Sequence, residues 1–273
     1  MSDPRLALVL PSLAAASLQG MVVAPGFRQT VRRQCVVPVA DLRRAPDLAS
    51  EQDDQVLIGE LFDVLGETDG FVFGQSVRDG YVGYLPAAAL GPTGPFASHR
   101  ISALRAYAFA EPDIKSAAVG PFALNSLISI EQKQGRYRRA VGGYWFVDTH
   151  LAPIGTVETD PAAIAVRFLG TPYRWGGRDG LGIDCSGLVQ QSLLACGRGC
   201  PRNADQQLTL GLAVERAQLR RADLVFWPGH VGMMIDATQL IHANSSDMAC
   251  VIEPLVQAEA RQDRPPIGFR RVV

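Results

Sequence analysis

The stretch Thr171–Leu188, Thr-Pro-Tyr-Arg-Trp-Gly-Gly-Arg-Asp-Gly-Leu-Gly-Ile-Asp-Cys-Ser-Gly-Leu, constrains this chain more than any other. Its glycines read as a loop that delivers Asp184, Cys185, Ser186 and Gly187 to the start of a helix. Beyond it, Leu188, Val189, Leu193 and Cys196 recur at the three-and-four spacing of a helix with one buried face. Asp184 is placed to cap that helix, and Cys185 falls in its first turn. Unpaired backbone N–H groups and the positive end of the helix dipole favour a thiolate there, lowering a thiol that otherwise titrates near ~8.5. Cys185 is therefore the candidate nucleophile. A single cysteine at a helix start is also at home as a small packed hydrophobe. Polar Asp184 and Ser186 beside it, and a Gly187 small enough to leave room for a ligand, favour the reactive reading.

The charges nearly balance, 26 basic against 27 acidic residues, so the sequence shows no electrostatic footprint for nucleic acid or an anionic membrane. A small ligand is expected, with no nucleic-acid or membrane partner and a monomeric state. The five cysteines, Cys35, Cys185, Cys196, Cys200 and Cys250, are odd in number and lack paired metal-type spacing, which suits a reducing compartment. The apolar run Leu6–Leu10 has no basic segment ahead of it, with Asp3 and a lone Arg5, and Pro11 interrupts it. It is read as something other than a signal peptide, and a cytoplasmic location is expected. No apolar run is long enough to span a bilayer.

Residues 1–34 read as a lead-in with one short helix around Leu13–Leu18, and the basic cluster Arg28–Arg33 reads as a solvated face. Residues 35–92 change to short β-like runs: Val36–Val39, Val56–Ile58, Leu61–Leu65, Phe71–Phe73 and Tyr81–Leu85. Asp79-Gly80 before the last of them is a hairpin cue. Residues 96–153 repeat the plan, Ile101–Arg105 echoing Val39–Arg43 and Val141–Val147 echoing Asp79–Leu85. Two small β-barrels are expected, joined at Gly91-Pro92-Thr93-Gly94-Pro95. In residues 154–273 a helix opens at Pro161 and the Cys185 helix follows. Then come strands at Leu224–Phe226, Val231–Ile235, Leu240–Ala243, Cys250–Ile252 and Ile267–Val272. Helices followed by a mostly antiparallel sheet make this an α+β domain.

A cysteine nucleophile requires a proton acceptor, and the imidazoles are His99, His150, His230 and His242. The first two fall in the barrel half near linkers. His230 opens one strand and His242 lies on the next, so one ring can serve Cys185 as base while the other orients it. Each histidine alone is more often a satisfied structural residue than a catalyst; taken with Cys185, the balance reverses. A two-residue turn at Ala237-Thr238 sets His242 opposite Met233, so contact between the rings calls for a bulge or a wider turn.

Tyr173-Arg174-Trp175-Gly176-Gly177, Asp184-Cys185-Ser186-Gly187-Leu188, Asp223–Trp227 with Gly229-His230-Val231-Gly232, and Ile241-His242-Ala243 together resemble the ordered motifs of the NlpC-type bacterial cell-wall peptidases, which are papain-like thiol enzymes. The upstream barrels are similar to the bacterial SH3-like domains of that family's γ-D-glutamyl-diamino-acid endopeptidase branch. The resemblance implies Cys185 as nucleophile, His230 as general base, His242 as the orienting third residue and Tyr173 as an oxyanion donor. It implies that Asp184 and Ser186 line the substrate site. Tyr81, with Tyr84 as the competing choice, would close the site from the first barrel, and Glu51 would supply an acidic group. Where the branch usually has Pro-Arg-Asp-Ser, this chain has Pro201-Arg202-Asn203-Ala204-Asp205. Asn203 exchanges a charge-assisted contact with the peptide's ammonium for an ordinary hydrogen bond, Ala204 lacks the hydroxyl, and Asp205 is the alternative partner for the cation.

The implied function is hydrolysis of γ-D-glutamyl-diamino-acid bonds in short murein peptides during wall recycling, without metal or organic cofactor. The alternatives are a papain-like amidase or acyltransferase acting on another substrate, and an inactive peptide-binding module.

Overall fold

The computed structural model describes residues 3–262 and 264–272. The chain forms two compact units, Met1–Pro153 and Ile154–Val273.

In the first unit the lead-in is extended where a helix was expected. Leu13–Ala15 is a strand between Val9–Leu10 and Phe27–Arg28, and only Ala16–Leu18 turns, as a single 3-10 turn. Leu8 and Ala15 are buried against Leu65 and Phe73, so the lead-in packs on the first barrel. That barrel is a seven-stranded sheet in the order Leu90–Gly91, Val31–Cys35, Leu61–Thr68, Phe71–Ser76, Val82–Pro86, Val39–Arg43 and Gln52–Leu57. Its first strand thus begins at Val31, ahead of the expected start at 35. Val36 to Pro38, expected as strand, instead connects Val31–Cys35 to Val39–Arg43. The turn before Val82–Pro86 uses Gly80 at φ +79°, a left-handed conformation that glycine adopts without steric cost, as the Asp-Gly cue requires.

The second barrel-like domain has a five-stranded sheet, Ala118–Ala123, Arg105–Phe109, Trp145–Val147, Tyr137–Ala140 and Ile130–Gln134, and a three-stranded one of Leu127–Ile128, His99–Ile101 and Leu151–Pro153. It is joined to the first barrel by more than the linker. Leu127 N–H donates to the Ile58 carbonyl at 3.0 Å, and a Cβ at Gly59 would lie 2.1 Å from the Leu127 carbonyl oxygen.

The second unit is α+β. Pro161–Val166 is a helix capped by Asp160, whose carboxylate accepts from Ala162 and Ala163 N–H. Cys185–Ala195 is the second helix, and a six-stranded antiparallel sheet follows. Its strand order is Leu212–Ala213, Gly268–Arg271, Leu224–Trp227, His230–Met234, Gln239–Asn244 and Ala249–Pro254. Two short helices, Ala204–Gln207 and Leu255–Arg261, were not foreseen. The Cys185 helix departs from its expected single apolar face, because every residue from Cys185 to Leu193 is buried. Its polar side chains at Gln190, Gln191 and Ser192 are tolerated because each donates a hydrogen bond to a backbone carbonyl. Gln190 donates to the Cys200 carbonyl at 3.1 Å, Gln191 to Arg178 at 2.7 Å, and Ser192 to Leu188 at 2.7 Å.

Candidate active site

Asp184 is the helix N-cap, and its Oδ1 accepts from Gly187 N–H at 2.7 Å. Its other oxygen accepts from Gly176 N–H at 2.8 Å, which ties the glycine loop to the helix start. The buried Arg202 completes the arrangement, donating to Asp184 Oδ1 at 3.0 Å, to Oδ2 at 2.6 Å and to Ser186 Oγ at 2.8 Å. Gly187 leaves no ligand space, contrary to expectation. A Cβ there would lie 2.2 Å from the Gly177 carbonyl oxygen, so its small size lets the helix seat directly on the loop.

Cys185 is 6% exposed. Its sulfur receives hydrogen bonds from the backbone N–H groups of Val231 and Ser186, which favour a thiolate. Burial and the Asp184 carboxylate oppose them and push the thiol up to about 12. The helix start therefore does not make a standing thiolate as the sequence suggested. Its stabilising effect is outweighed by desolvation and by the charge of its own cap, which Arg202 offsets only in part. The Val231 contact puts the sulfur against the strand that begins with His230.

His230 Nε2 is 2.8 Å from His242 Nδ1, with ring centroids 5.1 Å apart. The wider turn that this contact calls for is present, as a loop of three residues rather than two. The hairpin closes with Ile235 N–H donating to the Gln239 carbonyl, around a loop of Asp236, Ala237 and Thr238. Asp236 accepts from both Thr238 and Gln239 N–H, which fixes that loop. The register is Met233 with Ile241, one residue from the expected pairing. It sets His242 across from Gly232, on the same face as His230, so the two rings are diagonal neighbours that long side chains bridge. A Cβ on Gly232 would lie 3.5 Å from His242 Cβ and collide with Leu240 at 2.3 Å.

Burial and the neighbouring His242 ring bring His230 down to about 3, and burial with the Arg261 charge brings His242 to about 4. Burial thus favours the thiol on Cys185 and the neutral form of both imidazoles. Tyr173 is close enough for the Cys185 and Asp184 charges to reinforce the effect of burial, holding its phenol protonated well above the usual range. It is thus a hydrogen-bond donor. No group of three or more His, Cys, Asp or Glu side chains suited to a metal ion occurs among the described residues.

Residues 170–261 match the NlpC/P60 family and residues 42–90 the bacterial dipeptidyl-peptidase SH3 domain. The chain carries an NlpC/P60 domain. That domain defines a family of cysteine peptidases that hydrolyse peptidoglycan. The chain is 37% identical over 83 residues to dipeptidyl-peptidase 6 of Lysinibacillus sphaericus, covering 29% of this chain and 30% of that protein. It is 31% identical over 125 residues to the gamma-D-glutamyl-L-lysine dipeptidyl-peptidase of Bacillus subtilis (strain 168), covering 43% of this chain and 41% of the relative. These alignments span less than half the length of either relative. An NlpC/P60 family protein from Bacillus cereus ATCC 10987 shares the fold, with a TM-score of 0.76 at 20% identity over 88% of this chain and 99% of that one.

Within the NlpC/P60 domain the structure brings Cys185, His230, His242 and Tyr173 together. Asp184 and Ser186 are buried parts of the Arg202 network, which makes them supports of the helix start. Asn203 forms a capping box with Gln206 at the start of Ala204–Gln207, where Ala204 is buried and Asp205 lies in the first turn. The local reason for Asn203 is helix capping, a role open to aspartate and asparagine alike. In the first unit Tyr81 is 3% exposed and packs in the barrel core, Tyr84 packs on Phe73 at 4.9 Å, and Glu51 pairs with Arg44 at 2.6 Å. His99 and His150 also belong to that unit.

Sequence reasoning missed Arg202 as the partner of Asp184. It also missed the groups behind His242: Glu253 Oε1 at 2.8 Å and Asn244 Nδ2 at 3.0 Å from its Nε2. The signal for Glu253 was a lone carboxylate interrupting the apolar strand Ala249–Pro254.

Proposed function

We propose that this protein is a cysteine endopeptidase that cleaves γ-D-glutamyl-diamino-acid bonds in short murein peptides. The observation that carries the reading is the His230–His242 contact at the strand whose Val231 N–H meets the Cys185 sulfur. The names of the dipeptidyl-peptidase relatives support the choice of bond.

Because burial favours the thiol, His230 acts as a base during attack. Its Nδ1 takes the proton as sulfur adds to the carbonyl carbon, while Tyr173 and backbone N–H groups at the helix start receive the oxyanion. The imidazolium then passes the proton to the departing amine. Water, deprotonated by the same ring, hydrolyses the thioester and restores the thiol. His242 holds the His230 ring in place through Nε2 and shares the transient charge. A cytoplasmic role in recycling wall fragments is part of the proposal, supported by five cysteines that are all free.

Mass spectrometry of products from free and N-blocked murein tri-, tetra- and pentapeptides tests bond, length and amine dependence together. Cleavage between D-glutamate and the diamino acid is expected. With Asn203 engaged in a cap, the preference for a free amino terminus is expected to be modest, within about tenfold, one hydrogen bond's worth. Cleavage of other amide bonds only would transfer the site to the amidase reading.

A further inference from the structure

Behind the two histidines lies a third ionisable group that the mechanism above does not use. Glu253, 8% exposed on the strand Ala249–Pro254, places Oε1 2.8 Å from His242 Nε2. The strands pair Leu240 with Glu253 and His242 with Val251, so Glu253 is the diagonal neighbour of His242, as His242 is of His230. His230, His242 and Glu253 thus form one oblique row across three adjacent strands. The outer oxygen of Glu253 accepts from Arg261 Nη2 at 2.6 Å, and Arg261 Nη1 also meets Asp247 at 2.9 Å. Burial raises the Glu253 carboxyl, and the Arg261 charge works against that and favours the ionised form.

The geometry points to Glu253 as a positioning residue that sets the tautomers of both rings and so selects His230 Nδ1 as the atom that takes the Cys185 proton. An ionised carboxylate only accepts hydrogen bonds, so His242 must carry its proton on Nε2. Its Nδ1 is then a lone pair, and His230 Nε2 must donate to it. That leaves the lone pair of His230 on Nδ1. Asn244 competes for the same nitrogen, since its Nδ2 is 3.0 Å from His242 Nε2. Its orientation is fixed by Asp247, whose N–H donates to Asn244 Oδ1 at 2.7 Å and whose Oδ2 accepts from Nδ2 at 2.9 Å. If Asn244 donated to His242, both tautomers would reverse and His230 Nδ1 would be protonated and unable to act. The Glu253–Arg261 pair decides between the two states.

The inference rests on the peptidase reading for its consequence but not for its first test. Nitrogen-15 NMR of imidazole-labelled full-length protein at neutral pH, without substrate, is expected to show protonated Nε2 and bare Nδ1 on both His230 and His242. The opposite tautomers would overturn the proposal whatever the substrate proves to be. In Glu253→Gln the amide turns its oxygen to the donating Arg261 and its NH₂ to His242 Nε2, which no longer has to carry the proton. A fall in kcat on the order of 10² with KM unchanged is expected. Removing the carboxylate also removes support for the imidazolium form, so the acidic limb of the kcat profile should move to lower pH. The other charges facing the pair, Arg261, Asp247 and Asp184, remain in place. Unchanged kcat, or a loss that leaves the acidic limb where it was, would reduce Glu253 to a packing role and overturn the proposal.

Discussion

Replacing Arg202 by methionine is expected to destabilise the protein by about 3–5 kcal/mol, the range for removing one partner of a buried ion pair. Arg202 is 1% exposed and holds both Asp184 oxygens and the Ser186 hydroxyl. Methionine fills much of the volume but leaves the carboxylate facing only the N–H groups of Gly176 and Gly187 and the Ser186 hydroxyl. Urea denaturation followed by tryptophan fluorescence gives the change. Asp184→Asn in the Arg202→Met background should recover part of it, because a neutral amide is less costly to bury than an unpaired charge. A loss below about 1 kcal/mol, in the range of an exposed pair, would mean that the network does not hold the helix start. The variant should also lose activity beyond its loss of stability, since Arg202 partly cancels the Asp184 charge that raises the Cys185 thiol.

His230→Ala is expected to lower kcat by roughly 10²–10⁴, the usual contribution of a positioned acid or base. With the thiol pushed up to about 12, little thiolate exists at neutral pH, and the reaction depends on a base that acts as the sulfur attacks. The variant's residual rate should climb with pH as hydroxide replaces the lost imidazole. Circular dichroism and the urea midpoint will show whether the fold survives. A loss of less than tenfold in a folded variant would remove His230 from the base role and with it the proton path to His242.

Much of the second unit was legible because its elements are strongly patterned. The helix at Pro161, the helix at Cys185 and the five strands from Leu224 onward lie close to where periodicity and capping residues put them. The register was not, because it depends on whether the hairpin loop holds two residues or three. Asp236 decides that through hydrogen bonds that the apolar pattern does not encode. The balance of effects on the Cys185 thiol was not legible for a related reason. The helix start is visible in sequence, whereas burial and the net effect of Asp184 against Arg202 arise only once distant segments meet. The same holds for Glu253, which reads as an ordinary strand residue until its diagonal placement beside His242 is known. In the first unit, Val36 to Pro38 passes for strand by composition, yet it joins two strands of the sheet.

In the proposed reaction Cys185 carries the acyl group during turnover. Acid quenching during steady-state hydrolysis of a γ-D-glutamyl-diamino-acid peptide, followed by digestion and mass spectrometry, tests it directly. The expected result is a thioester on the peptide containing Cys185 in the native protein, with neither adduct nor turnover in Cys185→Ala. Substantial hydrolysis by Cys185→Ala, or an acyl adduct on another residue, would rule out Cys185 as the nucleophile.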